Sequence, residues 1–69
     1  PSQQSVSLRI YNVEGRLVRT LVSGRVDAGR RTVTWSGRDD TGRRVASGTY
    51  FARLRADGRT ITRSVTLIR

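Results

Sequence analysis

The chain has no cysteine, no histidine, no lysine and no methionine, and only one proline. Without cysteine, neither a disulfide nor a thiolate metal site can staple the fold. Without histidine, the commonest general base and the commonest transition-metal ligand are both missing. Serines stand at positions 2, 5, 7, 23, 36, 47 and 64, yet none has a histidine or lysine anywhere in the chain to activate it. The five carboxylates, Glu14, Asp27, Asp39, Asp40 and Asp57, all fall in expected turns or loops. A glycosidase-type carboxylate pair would need a cleft between them, and a fold this small has little room for one. No catalytic residue and no cofactor is expected. No apolar run approaches the length that spans a membrane, so no membrane insertion is expected. The chain contains no signal peptide; if the protein is exported, that segment lies outside these residues.

With 69 residues the chain makes one small domain, and chains this short are marginally stable alone. The net charge is +9, and all 14 basic residues are arginine. Two readings of that balance stay open. One is an anionic partner; the other is codon bias in a GC-rich genome, which puts Arg where Lys would stand. The arginines run evenly from Arg9 to Arg69 with no block of five like charges, so no basic tail is evident. Single-strand nucleic-acid binders combine a basic groove with exposed aromatics. Phe51, Arg53 and Arg55 are the best local case, but with four aromatics in all the expectation is non-specific binding only.

What the sequence has is strand rhythm. Residues 1 to 5, PSQQS, read as a polar linker stub, and residues 6 to 69 as the domain. Val6, Leu8 and Ile10 alternate with Ser5, Ser7 and Arg9, which predicts a strand with one buried face. Tyr11 and Val13 switch parity, as at a bulge or at a strand end buried on both faces. Glu14-Gly15 reads as a two-residue turn, and residues 16 to 22 as a second strand. Ser23 to Gly29 reads as a loop, and residues 31 to 36 as a strand with Val33 and Trp35 inward. In residues 49 to 56, Tyr50, Ala52, Leu54 and Ala56 share one face; Thr49, Phe51, Arg53 and Arg55 share the other. Asp57-Gly58 is the strongest hairpin signal. The last strand, residues 59 to 69, has Ile61, Val65 and Leu67 on one parity, and Arg63 on that same parity predicts a bulge or an edge position. The expected core is Val6, Leu8, Ile10, Val33, Trp35, Tyr50, Leu54, Val65 and Leu67. The expected fold is all-β, a small antiparallel sandwich of about six strands.

The stretch WSGRDDTGRRVASGTYF, residues 35 to 51, could be a ligand loop or folding punctuation. Calcium needs six or more oxygens from alternating positions. Here there are two adjacent carboxylates, no Glu, and three arginines among them. No phosphate-loop pattern is present. Turn grammar accounts for more of it: Asp39 or Asp40 can accept backbone N–H groups two residues on, and Gly42 can take a left-handed conformation. Gly15, Asp39, Asp40, Gly42, Gly48, Asp57 and Gly58 are therefore read as turn residues.

In order along the chain stand IYNVEGRLVRTL, AGRRTVTW, WSGRDDTG and RVASGTYFARL. This ordered set resembles the immunoglobulin-like C-terminal domains of the flagellar hook-capping protein and of the type IX secretion, type A sorting domains. Those families share I-Y-[ND]-x-x-G, A-G-x-x-x-V-x-W-x-G-x-D-x-x-G and V-A-x-G-x-Y-F, and all three pieces match across residues 6 to 54. The DG hairpin and terminal strand extend the likeness to Arg69. The resemblance implies a non-catalytic immunoglobulin-like β-sandwich of an exported protein, secreted or at the bacterial cell surface, whose partners are secretion machinery or cell-surface components. In sorting domains the last strand carries much of the recognition, which maps here onto Arg63, Ser64, Val65, Thr66, Leu67, Ile68 and Arg69. One departure matters. Members usually begin with an extra strand, whereas here only PSQQS precedes Val6, so either the chain is a cut piece or the sandwich has an open edge. An open edge invites self-association by strand complementation. Three expectations follow in turn: a sorting or surface-attachment module, a subunit self-assembling into an extracellular filament, and a polyanion-binding module using the arginine surface.

Overall fold

The computed structural model describes residues 3–27 and 32–68. Among them are four strands and no helix: β1 (Gln3–Tyr11), β2 (Leu17–Asp27), β3 (Gly48–Ala56) and β4 (Arg59–Leu67). They form one antiparallel sheet in the order β2-β1-β3-β4. About six strands in two layers were expected; the described residues make four strands in a single open sheet. The difference lies mainly in residues 32–36, which join no strand. Without a ladder, the alternation there has nothing to turn it inward, and Val33, expected in the core, is an exposed residue. Residue 31 lies outside the described residues.

Two further expectations are corrected by pairing. Gln3 to Ser5, read as linker, are part of β1, and Ser23 to Asp27, read as loop, are part of β2. They form on each other: Gln3 pairs with Asp27, Gln4 with Val26, Ser5 with Arg25, Val6 with Gly24 and Ser7 with Ser23. Each polar segment lacks a signal of its own, but side by side they extend the ladder by backbone hydrogen bonds that need no particular side chain. The β1–β2 connection is also longer than the two-residue turn expected at Glu14-Gly15. It spans residues 12 to 16, where Asn12 Oδ1 accepts the N–H groups of Glu14 and Arg16, each at 3.0 Å. Gly15, with φ of 82°, closes it by donating to the Asn12 carbonyl.

The β3–β4 hairpin is tight. Asp57 and Gly58 both have positive φ, 51° and 75°, as a type I′ turn requires. From there the β3–β4 register runs unbroken, from Ala56 opposite Arg59 to Gly48 opposite Leu67. Of the two expectations at Arg63, a bulge or an edge position, the edge position is the one found. Arg63 sits opposite Ala52 on the apolar side, and β4 is an edge strand, where a charged residue on the inner parity can reach water. The irregularities lie in β2 instead. The register shifts between Leu8 and Arg9 and between Ile10 and Tyr11, leaving Leu21 and Val18 as extra residues in β2.

Register fixes two faces. On one lie Val6, Leu8 and Ile10 of β1, Val22 and Val26 of β2, Tyr50, Ala52, Leu54 and Ala56 of β3, and Ile61, Val65 and Leu67 of β4. The other carries arginine, serine and threonine, with Tyr11, Leu17 and Phe51 at one end. Residues 32–47 cross only one end of the apolar face. There Ile10 and Tyr50 are buried, 2% and 8% exposed, and they are the only buried apolar side chains described. Val6, Leu8 and Leu54, expected as core, are only half-buried at the other end of the sheet, and Val65 and Leu67, opposite Tyr50 and Gly48, are half-buried on the edge strand β4.

Candidate interaction surfaces

The stretch that raised the ligand question folds into a small corner held by its own hydrogen bonds. Arg38 bridges to Arg44, Asp39 N–H donates to the Arg43 carbonyl at 2.9 Å, and Val45 N–H to the Gly37 carbonyl at 3.0 Å. Of the two aspartates, Asp39 makes the turn. Its Oδ1 accepts the Thr41 N–H at 2.9 Å, the Thr41 hydroxyl at 2.6 Å and the Arg43 N–H at 3.0 Å. The Thr41 hydroxyl, and after it the Arg43 N–H, hold the Asp39 carboxyl below the ordinary aspartate value of 3.8. That oxygen is filled by donors and is not presented to a cation. Among the described residues no three acidic, histidine or cysteine side chains gather to hold a metal ion. Gly42 has φ of 88°, and Asp39's carbonyl accepts its N–H at 3.0 Å.

Asp40 does something the sequence did not announce. Its N–H donates to the Val18 carbonyl and its Oδ1 accepts the Thr20 N–H, both at 3.0 Å. Arg19 adds a guanidinium bond to the Asp39 carbonyl at 3.0 Å and an ion pair with Asp40 at 4.0 Å. Asp40 thus stands where a neighbouring strand would, and occupies the edge of β2 beside its bulge. Covering an edge with a loop blunts strand addition there. β4, at the other side of the sheet, has no such cover among the described residues.

Two aromatic residues fix the corner to the sheet. Trp35 and Tyr50 meet edge to face, with ring centroids 5.0 Å apart. Trp35 Nε1 donates to the Arg38 carbonyl at 2.9 Å, and the Tyr50 hydroxyl to the Ala46 carbonyl at 2.6 Å. A tyrosine near a strand start, bonding to the backbone four residues upstream, is the tyrosine-corner arrangement of immunoglobulin-like domains.

The FlgD Ig-like domain model matches residues 1–59. The chain belongs to the FlgD Ig-like domain family. Two curated relatives carry the same name, basal-body rod modification protein FlgD, one from Salmonella typhimurium (strain LT2) and one from Salmonella typhi. Each is 42% identical over 45 residues, which is 65% of this chain and 19% of the relative. The chain thus spans about a fifth of the length of the curated relatives it matches. No solved structure gives a significant match. The FlgD Ig-like match stops at Arg59, so the terminal strand, through which the sequence likeness ran on to Arg69, lies almost wholly beyond it.

Within this FlgD-type domain, the residues assigned to partner recognition lie on the exposed edge strand. Arg63, Val65 and Leu67 face the apolar side and Ser64 and Thr66 the polar side. Ile68 is 84% exposed just past the strand, and Arg69 lies outside the described residues.

Proposed function

We propose that the chain is a non-catalytic structural module of an exported bacterial protein, working in assembly at the cell surface as a FlgD-type Ig-like domain. Family membership and the names of the Salmonella relatives point to the flagellar basal-body rod as the setting. The observation that carries the reading is the half-built character of the sheet. Its apolar face is capped at the Ile10–Tyr50 end only, and a depression of about 500 Å³ remains beside Leu54, Ala56 and Ile61. Such a face is completed by a second layer, as in a sandwich. A chimaera tests the reading: the matching segment of the Salmonella typhimurium protein is replaced by this chain's, and swimming is scored. Restored motility supports it. A chimaera that is exported and folded, yet leaves the cells non-motile, rejects it.

A sorting or attachment role is the finer reading, and the placement of Arg63 to Leu67 on the uncovered edge strand favours it. An extended partner segment could add to β4 by backbone hydrogen bonds. A reporter fused to residues 1–69, in a host with type IX secretion, would reach the cell surface; retention in the periplasm rejects sorting. The same edge supports the filament reading, in which a second copy adds to β4. A monomer at every dilution removes it.

A further inference from the structure

The polar face of the sheet carries an arginine cluster that no turn, loop or ion pair absorbs. Arg9 of β1 and Arg53 of β3 stand directly opposite each other, and Arg55 follows opposite Ser7. Arg25 of β2 lies on the same face, opposite Ser5. Like charges placed across a strand pair repel, so the arrangement costs stability. Between Ser5 and Tyr11 the register puts no carboxylate on this face; beside the arginines it carries Ser7, Thr20, Ser23, Thr60, Thr62 and Ser64, with Leu17, Tyr11 and Phe51 at one end. The backbone pairing of Gln3 with Asp27 lies at the far end of the β1–β2 ladder. Among the described residues the one ion pair, Arg19 with Asp40, lies elsewhere. Arg9 Nε is shut off from water and has no hydrogen-bond partner. The described residues thus supply that nitrogen with no acceptor to offset its charge.

The aromatic residues decide which anion fits. Arg53 lies over the Tyr11 ring, its guanidinium carbon 4.8 Å from the centroid. That contact holds the guanidinium against the ring, and its N–H fork bonds no protein acceptor among the described residues, which suits bidentate capture of a carboxylate. It also occupies a ring face that a nucleic-acid base would need for stacking, so of the two aromatics here only Phe51 remains as a platform. Along β3, Arg53 and Arg55 are separated by two residues of strand, about 7 Å, the same repeat as alternate side chains of another extended chain. Beside them a groove of about 220 Å³, lined by Tyr11, Val13, Phe51, Arg53 and Thr62, can seat an apolar side chain.

We propose that this face, centred on Arg9, Arg53 and Arg55, binds an extended acidic segment of another protein, with alternate carboxylates on the guanidinium groups. The site is independent of the assembly role proposed above.

The test uses fluorescence anisotropy at about 0.15 M salt, where the Debye length is about 8 Å and diffuse attraction is largely screened. The probes are a short peptide of alternating Glu and Thr, its Gln and Thr counterpart, and an oligothymidylate of matched length. The acidic peptide binds, and the Gln peptide does not. Arg53→Gln with Arg55→Gln weakens binding at least about tenfold, since two charge-assisted hydrogen-bonding forks are lost. Arg59→Gln with Arg63→Gln, which removes equal charge from the opposite face, changes it less than about twofold. If the Gln pair fails the far-ultraviolet circular dichroism check, Arg53→Lys with Arg55→Lys serves instead, keeping the charge and losing the fork. Equal losses from the two faces, no capture of the acidic peptide, or tighter binding of the oligothymidylate each overturn the proposal.

Discussion

Trp35 and Tyr50 meet with ring planes at 70° and centroids 5.0 Å apart, and each ring is also tied to the backbone of the corner it covers, Trp35 to Arg38 and Tyr50 to Ala46. Residues 35 to 47 contribute no named strand, so these two rings, with Asp40 on the β2 edge, hold the corner against the sheet. Tyr50 belongs to β3 and Trp35 to the corner, which makes the pair the joint between them.

Removing the joint therefore unfolds more than a surface loop. Trp35→Ala is expected to cost about 2 kcal/mol, below the 3–5 typical of a fully buried aromatic because Trp35 is only half-buried. Tyr50→Phe keeps the ring contact and loses one hydrogen bond, about 1 kcal/mol. Urea denaturation read at the Trp35 fluorescence of the Tyr50→Phe variant, and by circular dichroism for Trp35→Ala, checks the order. Equal costs would mean that the rings are not the anchor.

Asp39 makes acid stability specific. Its carboxyl sits below 3.8 in the folded chain, held there by Thr41 and Arg43. A lowered folded pKa gives stability that is fully present above the unfolded value and lost as pH falls through the folded one. The urea midpoint should stay level from neutral pH down to about one unit above the ordinary carboxylate range, then fall below 3.8. Asp39→Asn should flatten that fall, because it cannot titrate. A fall equally steep in the variant would assign acid sensitivity to another group.

The type I′ turn separates two substitutions of one residue. Asp57 has φ of 51°, a conformation Asn visits readily and a β-branched residue avoids. Asp57→Asn should leave stability within about 0.5 kcal/mol, whereas Asp57→Val should cost roughly 1–2 kcal/mol. Thermal melts of the two variants test this, and a tolerated valine would argue against the turn.

The half-covered sheet predicts an uneven core. Ile10 is 2% exposed and Ile61, on the same face, is 47% exposed. Ile10→Ala should cost about 3 kcal/mol and Ile61→Ala less than about 1 kcal/mol. If both cost about 3, a second layer closes the open end in solution, and that layer is then the next thing to identify.

Much of the sheet was legible in the sequence because its signals are local. Alternation in residues 6 to 10 and 49 to 56, and the Asp57-Gly58 pair, depend on period two and on φ alone. The motif order likewise carried the family. What was not legible depended on partners. Ser23 to Asp27 are strand because Gln3 to Ser7 lie beside them, and residues 32 to 36 are not strand although they alternate well. Between Asp39 and Asp40 the sequence offered either as the turn residue. Only the corner's contact with β2 separates them, giving Asp39 the turn and Asp40 the edge.

The sequence by itself determined that this chain would be built from reversals and extended segments, and that it would carry a large positive charge with no histidine, cysteine or lysine for chemistry. The tertiary structure decided where that charge lies: strand pairing sets Arg9 opposite Arg53, though they are far apart in the chain. It also decided which edge is closed, because Asp40 meets the backbone of Val18 and Thr20 only after β2 has bulged. The physical reason is the same in each case. Side-chain alternation is written residue by residue, whereas register and edge protection are properties of two segments meeting, and no single segment contains them.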